Sequence, residues 1–285
     1  MIFDSFGEYV FLDGAMGTML QKYGLKVGDK PDLMNITSPD VVEKIHRMYV
    51  EAGCDIINTN TFGSNALLLE DTGYSVEKVI TTAVGIAKRA TAGTNVKVAL
   101  NIGPTGQLLD PLGDLEPEEA FEIFKEMAIA GERAGADLVA VETMSDLEEI
   151  EAAIFAALDN TKLPVFATMS FGETGRTFMG CSVEDFVEMV EESDPTAVAT
   201  AIGLNCSLGP AEMFETVERF AKATKLPLIV KPNAGLPDKV DGSYHLGAKA
   251  FAEQMMRLKE FGVKIVGGCC GTTPEYISEL VKVFS

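Results

Sequence analysis

Apolar runs of strand length recur along this chain at intervals of roughly 25–45 residues, each followed by a helical pattern, as repeated β–α units require. The runs are Tyr9–Leu12, Cys54–Asn58, Val96–Asn101, Ala136–Val141, Pro164–Met169, Ala199–Leu204, Pro227–Val230 and Lys264–Val266. They are continuous rather than alternating, the pattern of strands buried on both faces. Three junctions repeat. Ala52-Gly53-Cys54-Asp55, Ala134-Gly135-Ala136-Asp137 and Phe261-Gly262-Val263-Lys264 each set a glycine helix stop directly before a strand. Eight such units in 285 residues predict an α/β fold of the (β/α)8 TIM barrel type, one domain over residues 1–285. The rival is a doubly wound open sheet, which carries Gly-x-Gly-x-x-Gly after its first strand. Here that strand runs instead into Asp13-Gly14-Ala15-Met16-Gly17-Thr18.

The helices expected between the strands start at Ser38-Pro39-Asp40 and then cover Ser75–Ala90, Glu116–Ala134, Asp146–Leu158, Val183–Glu191, Pro210–Ala223 and Leu246–Phe261, with a last one ending at Phe284. In a barrel the C-terminal strand ends form the active face. Polar residues gather there: Asp13, Asn60, Thr61, Asn101, Glu142, Asn205, Cys206, Asn233, Cys269 and Cys270.

The thiols are the most informative of these. Cys269 and Cys270 are adjacent in Gly267-Gly268-Cys269-Cys270-Gly271-Thr272, on the tip of strand eight. Cys206 sits on the tip of strand six, and the two strands flank strand seven, so the three sulfurs can reach one point. Three protein thiolates leave one tetrahedral position free, the pattern of a catalytic rather than a structural zinc. A structural site would close with a fourth cysteine or histidine, often in Cys-x-x-Cys knuckles, which this chain does not have. Cys54 and Cys181 read as packing residues. His46 lies mid-helix and His245 in a loop, which gives no support to a histidine-dependent nucleophile or base.

Composition narrows the partners. A net charge of −20 disfavours nucleic acid and anionic membrane surfaces. No apolar run approaches the ~20 residues of a membrane span. The N-terminus has no basic segment followed by an apolar one, and five cysteines do not suggest a disulfide framework. Reduced thiols and a cytoplasmic location are expected. Zinc held by three thiolates is a weak electrophile that readily takes a fourth thiol and deprotonates it. The loaded site is net anionic and its added sulfur electron-rich, which suits alkyl transfer onto sulfur.

With those residues in view, the motifs Asp13-Gly14-Ala15-Met16-Gly17-Thr18, Asn205-Cys206-Ser207-Leu208-Gly209-Pro210, Pro232-Asn233-Ala234-Gly235 and Gly267-Gly268-Cys269-Cys270-Gly271-Thr272 resemble those of the homocysteine S-methyltransferase family. The likeness runs from about residue 8 to the end. Ile102-Gly103-Pro104-Thr105-Gly106 with Pro111-Leu112-Gly113 is most similar to the homocysteine-binding module of cobalamin-dependent methionine synthases. The resemblance implies that Cys206, Cys269 and Cys270 bind zinc, that homocysteine sulfur becomes the fourth ligand, and that Asp13 and Glu142 lie near the substrate amino group.

An amino-acid zwitterion needs an anion for its ammonium and donors for its carboxylate. Asp13 and Glu142 supply the anions. No arginine sits on a strand tip, so the backbone N–H groups of Ala15, Met16, Gly17 and Thr18 are the expected carboxylate cradle. Asn205 and Asn233 are further candidate substrate contacts, and Asn233, on strand seven, is the candidate for the resting fourth zinc ligand. The methyl donor is not visible in the sequence. The Asp-x-His-x-x-Gly of a cobalamin domain is absent, since Lys44 and Ser243 stand at the Asp positions before His46 and His245. The resemblance implies methylcobalamin as the donor, and with that motif absent here it is expected on a corrinoid protein or domain, a module or protein separate from the barrel. Direct transfer from S-methylmethionine or a betaine is one alternative, and a non-catalytic zinc-bearing barrel another. A third is a phosphate-handling barrel using the loop at Gly172 and Gly175, whose only nearby basic residue is Arg176.

Overall fold

Continuous apolar runs form the strands, and the glycine stops set where each begins. The structure, a computed structural model, describes residues 6–26, 28–192, 199–240 and 242–285. Its strands are β1 (Val10–Phe11), β2 (Ile56–Asn58), β3 (Lys97–Ile102), β4 (Leu138–Met144), β5 (Val165–Met169), β6 (Ala201–Asn205), β7 (Leu228–Lys231) and β8 (Ile265–Val266). All sheet neighbours are parallel, in the order β1-β8-β7-β6-β5-β4-β3-β2. A bridge between Leu12 and Ile56 joins β1 to β2 and completes the ring. The expected TIM barrel is the observed fold.

The helices are α1 (Gly17–Lys22), α2 (Met34–Thr37), α3 (Pro39–Glu51), α4 (Ala66–Leu69), α5 (Val76–Ala90), α6 (Pro117–Ala134), α7 (Leu147–Asn160), α8 (Val183–Glu192), α9 (Pro210–Ala223), α10 (Ala248–Met255) and α11 (Pro274–Phe284). Gly53, Gly135 and Gly262, at the three repeated junctions, have φ of +100°, +94° and +73°. That left-handed turn is what lets a helix end and the chain drop into the next strand. Asp146 caps α7 by accepting from Glu148 N and Glu149 N, and Glu116 and Glu119 form a capping box on α6.

Two layers of packing hold the barrel. Between sheet and helices, Phe124, Phe186, Phe220 and Phe251 are completely buried, each contributing roughly 1.5–3 kcal/mol by leaving water. Inside the ring, Ile56, Ala99, Ala140, Phe166, Ala201 and Ile229 form a small apolar floor. The strand period of two then turns the inward positions polar toward the C-terminal end: Asn58, Asn101, Glu142, Thr168, Asn205 and Lys231. The floor carries a polar ring.

Three features depart from the sequence reading. β4 does not stop at Val141 but continues through Glu142 to Met144, with a register shift against β5 between Val141 and Met144. The helix expected over 246–261 is α10 followed by a tighter 3-10 stretch, Met256–Phe261, that closes onto Gly262. The loops after β1 and β2, to which the sequence pattern assigns no element, contain short helical turns, and residues of both line the mouth of the barrel. No helix among the described residues is long and apolar enough to cross a membrane.

Candidate active site and metal centre

The tip of β7 gathers the thiols. Cys206, just past β6, donates its N–H to the carbonyl of Lys231 at 3.0 Å. Past β8, Cys269 N donates to Pro232 O at 2.8 Å, and Cys270 O accepts from Ala234 N at 2.9 Å. Both cysteine loops are thus pinned to the segment 231–234 that runs between them. The sulfurs of Cys206 and Cys270 lie 3.8 Å apart, and all three lie within 4.8 Å of one another. Among the described residues no other group of three such ligands comes together.

This set fits a zinc ion. A tetrahedral ion with Zn–S bonds of ~2.3 Å separates its sulfurs by ~3.8 Å. Hydrogen bonds from Cys269 and Cys270 pull the Cys206 thiol down to about 3. Donating to that sulfur holds the other two up, Cys270 at about 11 and Cys269 well above its ordinary value. One thiolate shared by two thiols is a donor set that a dication completes by displacing two protons. Each sulfur also has its own polar neighbour. Asn233 hydrogen-bonds Cys206, the phenol of Tyr244 reaches Cys270, and Asn205 Nδ2 lies 3.8 Å from Cys269 Sγ. Asn233 Oδ1 is buried with no hydrogen-bond partner among the described residues.

Beside the thiols, the polar ring carries three charges. Glu142 accepts from Lys231 Nζ at 2.6 Å and from Asn101 Nδ2 at 2.9 Å. Asp13 is 3% exposed; its Oδ2 accepts from Asn58 N at 2.8 Å, while its Oδ1 has no partner among the described residues. Burial pushes Asp13 up to about 7, against the pull of Lys231 and the Asn58 N–H. One buried cation beside two carboxylates leaves the ring one negative charge in excess when both are ionised. Asp13 Oδ1 is where that charge is least satisfied.

The loop after β1 is fastened to the loop after β8. Thr272 Oγ1 accepts from Ala15 N at 3.2 Å and donates to Cys269 O at 2.6 Å. Tyr49, on α3, donates its hydroxyl to Ala15 O at 2.7 Å. Gly14 is required here, since a Cβ would meet Thr272 Oγ1 at 2.6 Å and the Tyr49 hydroxyl at 2.9 Å.

Every residue singled out at the strand tips lies at the mouth of the barrel, in differing roles. Asp13, Ala15, Met16, Gly17, Thr18, Glu142, Cys206, Cys269 and Cys270 line one cavity of about 540 Å³. Glu142 is already paired with Lys231, and the N–H of Ala15 is committed to Thr272. Asn205 is fully buried behind the thiols, not in the cavity wall. Thr61 binds the Asn101 carbonyl, and Asn60 the Pro31 carbonyl, both shaping the loop after β2. Cys54 and Cys181 are buried away from the cluster. Arg176, the basic residue of the glycine-bearing loop, donates to Gly180 O.

Lys231 and Tyr244 were not legible as site residues. The signal for Lys231 was its spacing, two residues beyond inward-facing Ile229 in an otherwise apolar strand. Tyr244 lies in a loop whose path no pattern fixes.

Comparison with known proteins agrees with this geometry. Residues 10–284 match the model of the homocysteine S-methyltransferase family. The chain is 36% identical to methionine synthase of Mycobacterium leprae over 290 residues, and 36% identical to that of Mycobacterium tuberculosis over 289. Each alignment covers 94% of this chain but 24% of the relative, so the chain spans about a quarter of the curated relatives it matches. The metallated form of the homocysteine methyltransferase MmuM from Escherichia coli superimposes with a TM-score of 0.82 at 24% identity, over 98% of this chain and 97% of that one. That likeness concerns the fold. A family match over nearly the whole chain, on a barrel whose mouth collects the three cysteines, places this protein in the homocysteine S-methyltransferase family.

Proposed function

We propose that the barrel mouth binds homocysteine over a zinc ion held by Cys206, Cys269 and Cys270, and that the substrate sulfur accepts a methyl group from methylcobalamin carried on a separate module. The observation that carries this reading is the 3.8 Å sulfur spacing on strand tips facing a cavity. Bound there, zinc would hold the substrate thiol as thiolate at neutral pH, the form that attacks a methyl carbon.

The chain's own residues do the rest. Asp13 offers Oδ1, unpaired and buried, to the substrate ammonium, which supplies the positive charge the ring lacks. Glu142 sets the ring's charge balance through Lys231 and forms the wall beside Asp13. The N–H groups of Met16, Gly17 and Thr18, at the uncapped start of α1, are the donors for the substrate carboxylate. Ala15 holds that loop in place through Thr272. Asn233, whose side-chain amide hydrogen-bonds Cys206 and whose Oδ1 is buried without a partner among the described residues, offers a neutral oxygen that a thiolate could replace as fourth ligand. A cavity of about 540 Å³ exceeds what one small amino acid fills, so its outer part is open to a donor.

The relatives are about four times as long as this chain, in keeping with a donor module that lies outside the barrel. A panel of methyl donors tests the reading. Methionine should form from homocysteine with free methylcobalamin at a high apparent KM, because the effective concentration of a tethered donor is missing. It should not form with methyltetrahydrofolate alone, whose methyl sits on a poor leaving group. Steady turnover with methyltetrahydrofolate and no corrinoid, or faster turnover with S-methylmethionine, would refute the choice of donor.

A further inference from the structure

The residue after Glu142 adopts a backbone conformation that its own chemistry resists. Thr143 has φ of +66°, in the left-handed region, which costs a β-branched residue on the order of 1–3 kcal/mol. It sits within the register shift that separates Val141 from Met144 on β4. Strain of this kind persists where surrounding contacts impose it, and here those contacts converge on one buried side chain. The N–H of Thr143 donates to Asn205 Oδ1 at 2.8 Å, and Thr168 Oγ1 lies 2.8 Å from the same oxygen. Asn205 Nδ2 lies 2.7 Å from Thr143 Oγ1 and 3.8 Å from Cys269 Sγ.

These contacts fix which way the carboxamide points. A backbone N–H can only donate, so the Asn205 atom it meets must be oxygen. With the oxygen committed to Thr143 and Thr168, the NH2 end must face Cys269. One of its protons is taken by the Thr143 hydroxyl, which leaves the other for the sulfur. Asn205 is completely buried, so no water competes for either.

We propose that Thr143 and Asn205 are positioning residues for the metal centre: the N–H and the hydroxyl that Thr143 presents from its left-handed turn together orient the Asn205 carboxamide so that its second N–H donates to the Cys269 sulfur. The inference rests on the reading of the cysteines as a metal site. A donor on a metal-holding thiolate spreads the charge of an anionic cluster, and that need grows when a fourth thiolate joins. Partners of this sort fix the orientation of a ligand as well as its basicity.

The test has two arms. In the zinc-loaded protein, release to a chromophoric chelator should quicken in Asn205→Ala by on the order of 10–100-fold. Since that variant strands buried donors, Thr143→Gly is the companion. Glycine accepts the left-handed turn without strain, and that relief offsets the loss of the hydroxyl's hydrogen bond to Asn205, so this variant should fold and, with the carboxamide less firmly held, release zinc several-fold faster. Thr143→Ser, which restores the hydroxyl, should return the rate to the parent value. A merely structural role for Thr143 would leave zinc release unchanged in Thr143→Gly.

In the metal-free protein labelled with 15N-asparagine, the Asn205 side-chain signal should move on Cys269→Ser. Zinc release unaltered in a folded Asn205→Ala or Thr143→Gly variant would overturn the positioning role and leave the metal reading intact. Absence of zinc binding by the parent protein would overturn the metal reading. An Asn205 signal insensitive to Cys269→Ser would overturn the hydrogen bond in either case.

Discussion

Replacing Lys231 by methionine probes the charge arrangement on which the site rests. The ammonium lies 2.6 Å from Glu142, with the two side chains 5% and 12% exposed. It also pulls on Asp13, which burial already raises to about 7. Without it, two carboxylates share a buried ring with amide donors alone. Removing one partner of a buried pair costs about 3–5 kcal/mol, because the other charge stays uncompensated. Set against a typical stability of 5–15 kcal/mol, such a loss would bring the barrel close to unfolding. Urea denaturation of parent and variant measures it directly. Loss of the cation raises Asp13 further, so the deficit should shrink as the pH falls and Asp13 takes up its proton. The double variant Lys231→Met/Glu142→Gln should recover most of the loss, since the amide keeps the shape without the charge. A single-variant loss below about 1 kcal/mol, or no recovery in the double variant, would refute the reasoning.

Other outcomes follow from the same groups. Asp13 binds its proton more tightly folded, at about 7, than at its ordinary 3.8. The substrate-free protein should therefore lose stability as pH rises from about 4 to about 7, by on the order of 4 kcal/mol, and Asp13→Asn should abolish that slope in denaturation measurements. Homocysteine affinity should rise over the approach to pH 7 as Asp13 ionises, and the Asp13→Asn variant, tested by KM against pH, should lack that component. His46 is completely buried with no partner for either ring nitrogen among the described residues, and burial lowers it to about 4 from 6.5. Its unfolded form binds the proton first, so stability should decline by about 3 kcal/mol as pH falls from about 6.5 to 4, a decline that His46→Leu should remove in acid titrations followed by circular dichroism.

The barrel was legible because its determinants are local and repeated. Apolar runs, helix periods and the glycines at 53, 135 and 262 all act within a few residues of themselves, and each glycine does take the left-handed turn. The thiol cluster was legible for a different reason: barrel topology brings alternate strand tips together whatever their separation in sequence. The polar ring was harder to read. Lys231 followed by Pro232 looks like the exit of a strand, and only pairing with Glu142, 89 residues away, gives it meaning. Asn205 was legible as a tip residue, but its four contacts are made to Thr143 on β4, Thr168 on β5 and Cys269 in the loop after β8. The left-handed Thr143 runs against the preference of its own side chain, so local pattern points away from it. Long-range satisfaction of buried polar groups decided what periodicity left open.

X-ray absorption at the zinc edge, with and without homocysteine, tests the central claim most directly. The account predicts about one zinc per chain, lost in the Cys206→Ala, Cys269→Ala and Cys270→Ala variants. In the resting state the ion should have three sulfur ligands and one oxygen or nitrogen ligand, with the light ligand altered in Asn233→Ala. Adding homocysteine should replace that light ligand by a fourth sulfur at ~2.3 Å. A sulfur count that stays at three when homocysteine is bound, or full zinc retained in the Cys269→Ala or Cys270→Ala variant, would contradict it.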